Sequence, residues 1–224
     1  MTSKSTKSTR TKTLRPRDPD TDSGTFLTER TAGARCAQKE TGMKLMIASD
    51  IHGSAFYCRK MLAAMEQEKP DKLILLGDIL YHGPRNDLPE EYAPKKVIAM
   101  LNPLRDKILC IRGNCDTEVD QMVLDFSVLS EQAILFVNGK TLVLKHGHRL
   151  SGIDLPPVEP GEYLVCGHTH VPKMEMREGG YWYINPGSVS LPKGNSPHSY
   201  CIFEDHFVWK DLDGEVFMEE TAVS

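Results

Sequence analysis

No stretch of the 224-residue chain approaches the roughly 18 apolar residues that a membrane span requires. No apolar segment near the N-terminus reads as a secretory signal. Basic residues are not in excess: 27 Lys and Arg stand against 31 Asp and Glu, a formal charge of −4. The chain as a whole therefore lacks the positive field of a nucleic-acid binder, and nucleic acid is not expected as a partner. Cysteine is sparse. Cys36, Cys58, Cys110, Cys115, Cys166 and Cys201 lie far apart, mostly inside apolar runs, which argues against a disulfide framework and for reduced, buried thiols in a cytoplasmic setting. There is no internal repeat and no linker after residue 42, so one domain is expected over residues 43–224, and 40% hydrophobic residues can supply its core.

Residues 1–42 differ from the rest. They carry nine Lys/Arg and five Asp/Glu, net +4, which leaves −8 on residues 43–224. The first seventeen contain no acid and are mostly Ser, Thr, Lys and Arg. Without apolar periodicity such a segment cannot offset its ordering entropy, and it is expected to be a disordered basic extension. It is read first as a translated leader ahead of Met43, and otherwise as a targeting peptide or a basic arm for polyanions.

From Lys44 onward, apolar runs alternate with helical patterns. Leu45–Ala48, Lys72–Leu76 and Lys107–Ile111 read as strands. Ser54 is placed to cap a helix that presents Cys58, Met61, Leu62 and Met65 on one face. Pro94 opens a second helix with Val97, Ile98 and Leu101 turned inward. This order predicts an α/β layer with parallel pairing. The second half reads as antiparallel hairpins. Ala133–Val137 and Thr141–Leu144 flank Asn138-Gly139, and 174–176 and 181–184 flank Gly179-Gly180. Closing strands follow at 199–204, 207–210 and 215–219. Two mixed sheets packed face to face, with helices outside, accommodate this order.

Five apolar runs end in residues able to bind a divalent metal: Asp50 with His52, Asp78, Asn114, His146, and His168 with His170. Functional groups in α/β sheets gather outside the carboxyl ends of strands, and neutral imidazole is the commonest metal ligand. In extended backbone, residues two apart point to one side, so His168 and His170 are expected to face one small volume. Seven oxygen and nitrogen donors exceed what one ion takes from protein; they suit two ions about 3.5–4 Å apart that share a carboxylate. Gly77, Gly113 and Gly167, each just before a donor, would let the backbone turn tightly or approach closely. Singly, Asp78 could be a strand cap, Asn114 a turn former and His146 an exposed loop residue. The joint pattern is what carries the reading.

The stretches Asp50-Ile-His52, Gly77-Asp78, Gly113-Asn-Cys-Asp116, His146-Gly-His148 and Gly167-His-Thr-His170 resemble the calcineurin-like metallophosphoesterase superfamily. The segments 81–86, 118–122 and 185–190 resemble its YfcE-type phosphodiesterase branch. The resemblance implies a four-layer α/β/β/α sandwich and two divalent cations per subunit, manganese foremost, with iron, nickel or zinc compatible with the same donors. It implies Asp50, His52, Asp78 and His170 around one ion and Asp78, Asn114, His146 and His168 around the other. It also implies hydrolysis of a small phosphoester by a hydroxide bridging the two ions, with Asp78 and Asn114 closest to the chemistry. Many members carry a histidine after the asparagine as the leaving-group acid; here Cys115 stands in its place. A thiol of pKa about 8.5 is a poor acid, so activated leaving groups are expected. Arg85, Cys115, His82 and His148 are candidates for substrate contacts. A non-catalytic interaction scaffold, as in the retromer subunit that shares the fold, is the alternative reading, followed by a nuclease; a homo-oligomer is left open.

Overall fold

The computed structural model describes residues 42–220; the expected N-terminal extension lies outside them except for Gly42. Its first unit follows from the apolar runs. Strands β1 (Leu45–Ala48), β2 (Lys72–Leu75) and β3 (Ile108–Cys110) pair in parallel. All four residues of β1 are buried, as expected of a parallel strand covered on both faces. Alternation divides them: Met46 and Ala48 face helices, whereas Leu45 and Ile47 face the second sheet.

Helix α1 (Ala55–Glu68) makes the crossover from β1 to β2. The Ser54 hydroxyl accepts the Tyr57 N–H at 3.2 Å as its N-cap, and Lys69, in left-handed backbone, ends it. Cys58, Met61 and Met65 are buried against Leu73 and Leu75. Each such side chain is worth about 2 kcal/mol relative to exposure. Helix α2 (Pro94–Leu101) begins at proline and runs into a 3₁₀ turn at Asn102–Lys107, with Val97 and Leu101 buried. A one-turn helix α3 (Glu118–Gln121) follows β3.

Strands β4 (Ala133–Val137) and β5 (Lys140–Leu144) form a hairpin whose corner residues Asn138 and Gly139 both have positive φ, the type I′ geometry that matches strand twist. Strand β6 (Tyr163–Val165) pairs in parallel with β5 and with β8 (Trp182–Asn185), and β7 (Lys173–Met176) lies antiparallel to β8. The chain then returns to the first sheet through β9 (Ser199–Phe203), β10 (Phe207–Asp211) and β11 (Val216–Glu219). The orders are β11-β10-β9-β1-β2-β3 and β4-β5-β6-β8-β7, both mixed. Leu45, Ile47 and Ile74 meet Leu142, Leu144 and Val165 between the sheets, with Phe203, Phe207 and Trp209 filling the same layer. Trp209 donates its indole N–H to the Asn185 carbonyl at 2.7 Å, tying the two sheets together.

The outer layers are unequal. Helices α1 and α2 cover the six-stranded sheet. On the outer face of the five-stranded sheet, Val143, Leu164, Cys166 and Tyr183 are covered by Leu150, Val158 and Tyr181. Among the described residues the only regular turn in the 145–162 connection is the 3₁₀ segment Gly152–Asp154. Three prolines in that connection interrupt any longer helix.

Glu68, at the C-terminal end of α1, would be disfavoured there by the helix dipole. It is offset by Lys210 Nζ at 2.6 Å, Lys44 Nζ at 2.8 Å and the Tyr200 hydroxyl at 3.2 Å. Burial alone would raise its carboxyl, but the two lysines hold it below its ordinary value of 4.5. A depressed folded-state value means the contribution is full above about pH 4.5 and is lost as pH falls through the folded value. Glu68→Gln is expected to cost on the order of 1–2 kcal/mol at neutral pH and progressively less as pH falls below about 4.5, as read from urea midpoints along a pH series.

Candidate metal centre

The tails of the strands, rather than the strands themselves, build the site. Beyond β1 and β2 the two chains keep bonding: Asp50 N–H to the Gly77 carbonyl at 3.1 Å and His52 N–H to the Asp78 carbonyl at 2.9 Å. Beyond β5 and β6, the Gly167 N–H donates to the His146 carbonyl at 2.9 Å. Five of the seven donor positions lie in left-handed backbone: Asp50 (φ 59°), His52 (48°), Asp78 (56°), His168 (66°) and His170 (61°). Asp and His are among the few side chains that tolerate this region, and strain of this kind gathers at functional sites.

That geometry corrects the extended picture of His168 and His170. Thr169 N–H bonds the Gly167 carbonyl at 2.7 Å, so the segment is a tight turn. The two imidazoles still reach one cleft, but beside different neighbours. His170 lies 5.1 Å from His52 and His168 lies 5.1 Å from His146, ring centre to ring centre.

On one side, His170 Nε2 stands 3.2 Å from both His52 Nε2 and Asp50 Oδ1. On the other, His146 Nε2 stands 3.1 Å from Asn114 Oδ1 and 3.5 Å from Asp78 Oδ2. Asp78 Oδ2 is also 3.8 Å from His52 Nε2, so one carboxylate oxygen borders both groups. Asp50, His52, Asp78, His146 and His170 are all buried, whereas Asn114 is exposed at the mouth.

Whether these residues fit a cation can be judged from their bonds. His52, His146 and His170 each place Nδ1 against a backbone carbonyl, of Tyr81 (2.8 Å), Leu76 (2.6 Å) and Leu191 (2.7 Å). A carbonyl can only accept, so Nδ1 carries the proton and Nε2 of the neutral ring turns a lone pair inward. This is the tautomer that binds metal, with the second nitrogen held by an outer acceptor. Asp50 Oδ1 is buried without a hydrogen-bond partner while aimed into the same volume. Lone pairs converging on a buried, unsatisfied carboxylate need positive charge between them. The donor set fits divalent cations.

The protonation balance agrees. Burial would raise Asp50, but His170 and His52 beside it hold its carboxyl well below the usual range. Asp78 is likewise lowered, chiefly by His146 against burial and the repulsion of Asp50. Burial pushes His146 down, yet Asp78 and Asp50 prevail and carry it up to about 9. Without a cation the pair of carboxylates thus draws a proton onto His146; a cation supplies that charge instead. His168 is held down to about 4, first by burial and then by His146, and stays neutral.

Several supporting residues escaped the sequence reading. Asp116 accepts N–H bonds from Asp78 (2.8 Å), Ile79 (2.9 Å) and Gly113 (2.7 Å) and locks the Asp78 turn against the Asn114 turn. Ser188 and Ser190 both donate to the Asp50 carbonyl, at 2.9 and 3.1 Å. Asn185 donates to Thr169 Oγ1 at 3.0 Å and to the Gly167 carbonyl at 2.6 Å. Only the motif membership of these residues was visible; their partners lie far away in sequence. The glycines before donors do permit close approach. A Cβ at Gly113 would meet Asp78 Oδ1 at 2.1 Å, and one at Gly167 would meet Ser49 Oγ at 1.9 Å.

A cleft of about 440 Å³ opens over these donors, with Asp78, Asn114, His168 and His170 on its floor. Arg85 and Cys115 line it, joined by Lys193, which the sequence offered no pattern to find. His82 is not part of this lining; its ring packs edge-on against Tyr81 and Tyr92. His148 is likewise not part of the lining; its ring centre lies 5.6 Å from that of His146 and 6.1 Å from that of His168.

Residues 43–206 match the calcineurin-like phosphoesterase superfamily domain, and the chain belongs to that superfamily, an enzyme of the phosphoesterase class. Within it, the chain is 46% identical over 163 residues to the phosphodiesterase YfcE of Escherichia coli K12, covering 73% of this chain and 88% of that protein. It is 24% identical over 167 residues to a probable metallophosphoesterase, YsnB, of Bacillus subtilis, covering 71% and 83%. The solved structure of the E. coli phosphoesterase YfcE superposes with a TM-score of 0.74 at 44% identity, over 80% of this chain and 98% of that one. The sandwich of two mixed sheets is therefore the metallophosphoesterase fold.

Proposed function

We propose that the protein is a metal-dependent phosphodiesterase working with two divalent cations, manganese foremost. The observation that carries this reading is the set of three imidazoles with Nδ1 tied to carbonyls and Nε2 turned toward Asp50 and Asp78. Asp50, His52, Asp78 and His170 would hold one cation, and Asp78, Asn114, His146 and His168 the other. When bound, the pair supplies an activated water as nucleophile and positive charge for the phosphoryl oxygens.

The chain's own residues do the rest. Asn114, at the mouth, offers a neutral oxygen inward and an amide N–H₂ that can donate to phosphate. Arg85 and Lys193 line the cleft and offer their charge to an anionic substrate. No good acid faces the leaving group. Burial and the neighbouring Asp78 push the Cys115 thiol far up, so it keeps its proton, and His148 is held neutral by burial and His146. Small diesters with low-pKa alcohols or phenols are the substrates this supports. Five free, buried cysteines among the described residues support a reducing, cytoplasmic setting, and no described helix is long and apolar enough to cross a membrane.

Hydrolysis of bis(p-nitrophenyl) phosphate by the purified protein is the test. Chelation is expected to reduce turnover by about 10³-fold, some 4 kcal/mol of transition-state stabilisation, and manganese to restore it. Protein that binds manganese but turns over no diester under any divalent cation would return the scaffold reading.

A further inference from the structure

We propose that Cys115 makes this centre selective for thiophilic cations: zinc or cadmium recruits its sulfur as an added ligand beside His52 and Asp78, whereas manganese leaves it a thiol. The inference rests on the metal reading above.

Cys115 Sγ, a His52 ring nitrogen and an Asp78 carboxylate oxygen lie within 4.8 Å of one another, and all three side chains are buried. Around tetrahedral zinc, with Zn–S about 2.3 Å and Zn–N about 2.1 Å, such donors stand about 3.6 Å apart. A small movement of the side chains therefore closes the triangle. The backbone holds the thiol there, because Cys115 N–H donates to Asp78 Oδ1 at 2.8 Å. Gly83 packs over it, with the place of a Cβ 3.3 Å from the sulfur. Asp50 Oδ1, buried without a hydrogen-bond partner, lies 3.6 Å from Nε2 of the same His52. Among the described residues, Cys58, Cys110, Cys166 and Cys201 share no such group with His, Asp or Glu.

Ligand softness separates the two cases. Manganese prefers hard oxygen donors such as carboxylate, carbonyl and water, whereas thiolate favours zinc-like ions. On binding, the S–H bond breaks, a sulfur–metal bond forms and the proton passes to solvent. Thiolate adds a third negative charge to those of Asp50 and Asp78. A thiophilic cation is thus gripped more firmly in a centre that attracts an anionic diester less.

The experiment adds cadmium to metal-free, full-length protein. It records thiolate-to-cadmium charge-transfer absorption in the ultraviolet, with bound metal measured by equilibrium dialysis. The band is expected in the wild-type protein and absent in Cys115→Ser, with cadmium affinity weakened on the order of 10–100-fold and manganese affinity nearly unchanged. Cadmium-113 magnetic resonance of the wild-type protein, showing a sulfur-shifted signal, tests the same bond without a variant. A Cys115→Ser protein that keeps band and affinity, or wild-type protein that binds cadmium with no sulfur signal, overturns the inference alone. Failure to bind either cadmium or manganese overturns the metal reading with it.

Discussion

Asp78→Asn is expected to lower diester turnover by about 10³-fold or more at saturating manganese and to leave the metal-free protein somewhat less stable at neutral pH. Asp78 Oδ2 is the one carboxylate oxygen that borders both histidine groups, 3.8 Å from His52 and 3.5 Å from His146. Losing its charge weakens both sites at once. The same charge also serves the metal-free fold, because against burial and the repulsion of Asp50 the His146 ring holds the Asp78 carboxyl below its ordinary value. Removing it takes the partner from the proton on His146, a loss on the order of 1 kcal/mol after relaxation. The amide oxygen can still accept the Cys115 N–H that Oδ1 now takes at 2.8 Å. Initial rates and calorimetric melting with and without manganese separate the effects. Turnover within about tenfold of wild type would remove Asp78 from its shared position.

Gly113→Ala is expected to destabilise the fold by about 3 kcal/mol and to lower its melting temperature by roughly 6–12 °C. Its added methyl would stand 2.1 Å from Asp78 Oδ1 and 2.4 Å from the Asp78 backbone nitrogen. Asp78 has nowhere to retreat. Its N–H is held by Asp116, Oδ1 by Cys115 and its carbonyl by the His52 N–H. Displacing the turn also spoils the Asp78 carboxylate as a ligand, so weaker manganese affinity should accompany the lower melting point. A variant that melts within about 2 °C of wild type would show that the turn gives way freely.

The fold was legible where burial is repetitive. Runs such as Leu45–Ala48 and the Cys58, Met61, Met65 stripe announce strand and helix because each is fully buried on one face or both. Helix α3, four residues long, has no room for a periodic pattern. The thin layer over Val143 and Leu164 could not be foreseen, because a loop covers a sheet with scattered contacts and no period. Within the site, the strand-end rule found Asp50, Asp78, His146 and their companions, because strand termini are local events. It brought His168 and His170 to one cleft but misjudged their backbone, since a left-handed turn is invisible in residue types. It passed over Asp116, Ser188 and Ser190, whose value lies in backbone groups of other loops.

The left-handed backbone at Asp50, His52, Asp78, His168 and His170 also narrows the paths open to mutation. Asn, Asp, His and Gly are the residues such a conformation accepts most readily, and three of those four are metal ligands. The shape of the loops and the chemistry of the cation therefore draw from nearly the same alphabet. A lineage released from selection for hydrolysis would drift first toward Asn and Gly at these places, keeping its outline long after its donors had thinned. Grafting the donors onto straight strands of another protein would, for the same reason, move the names without the geometry.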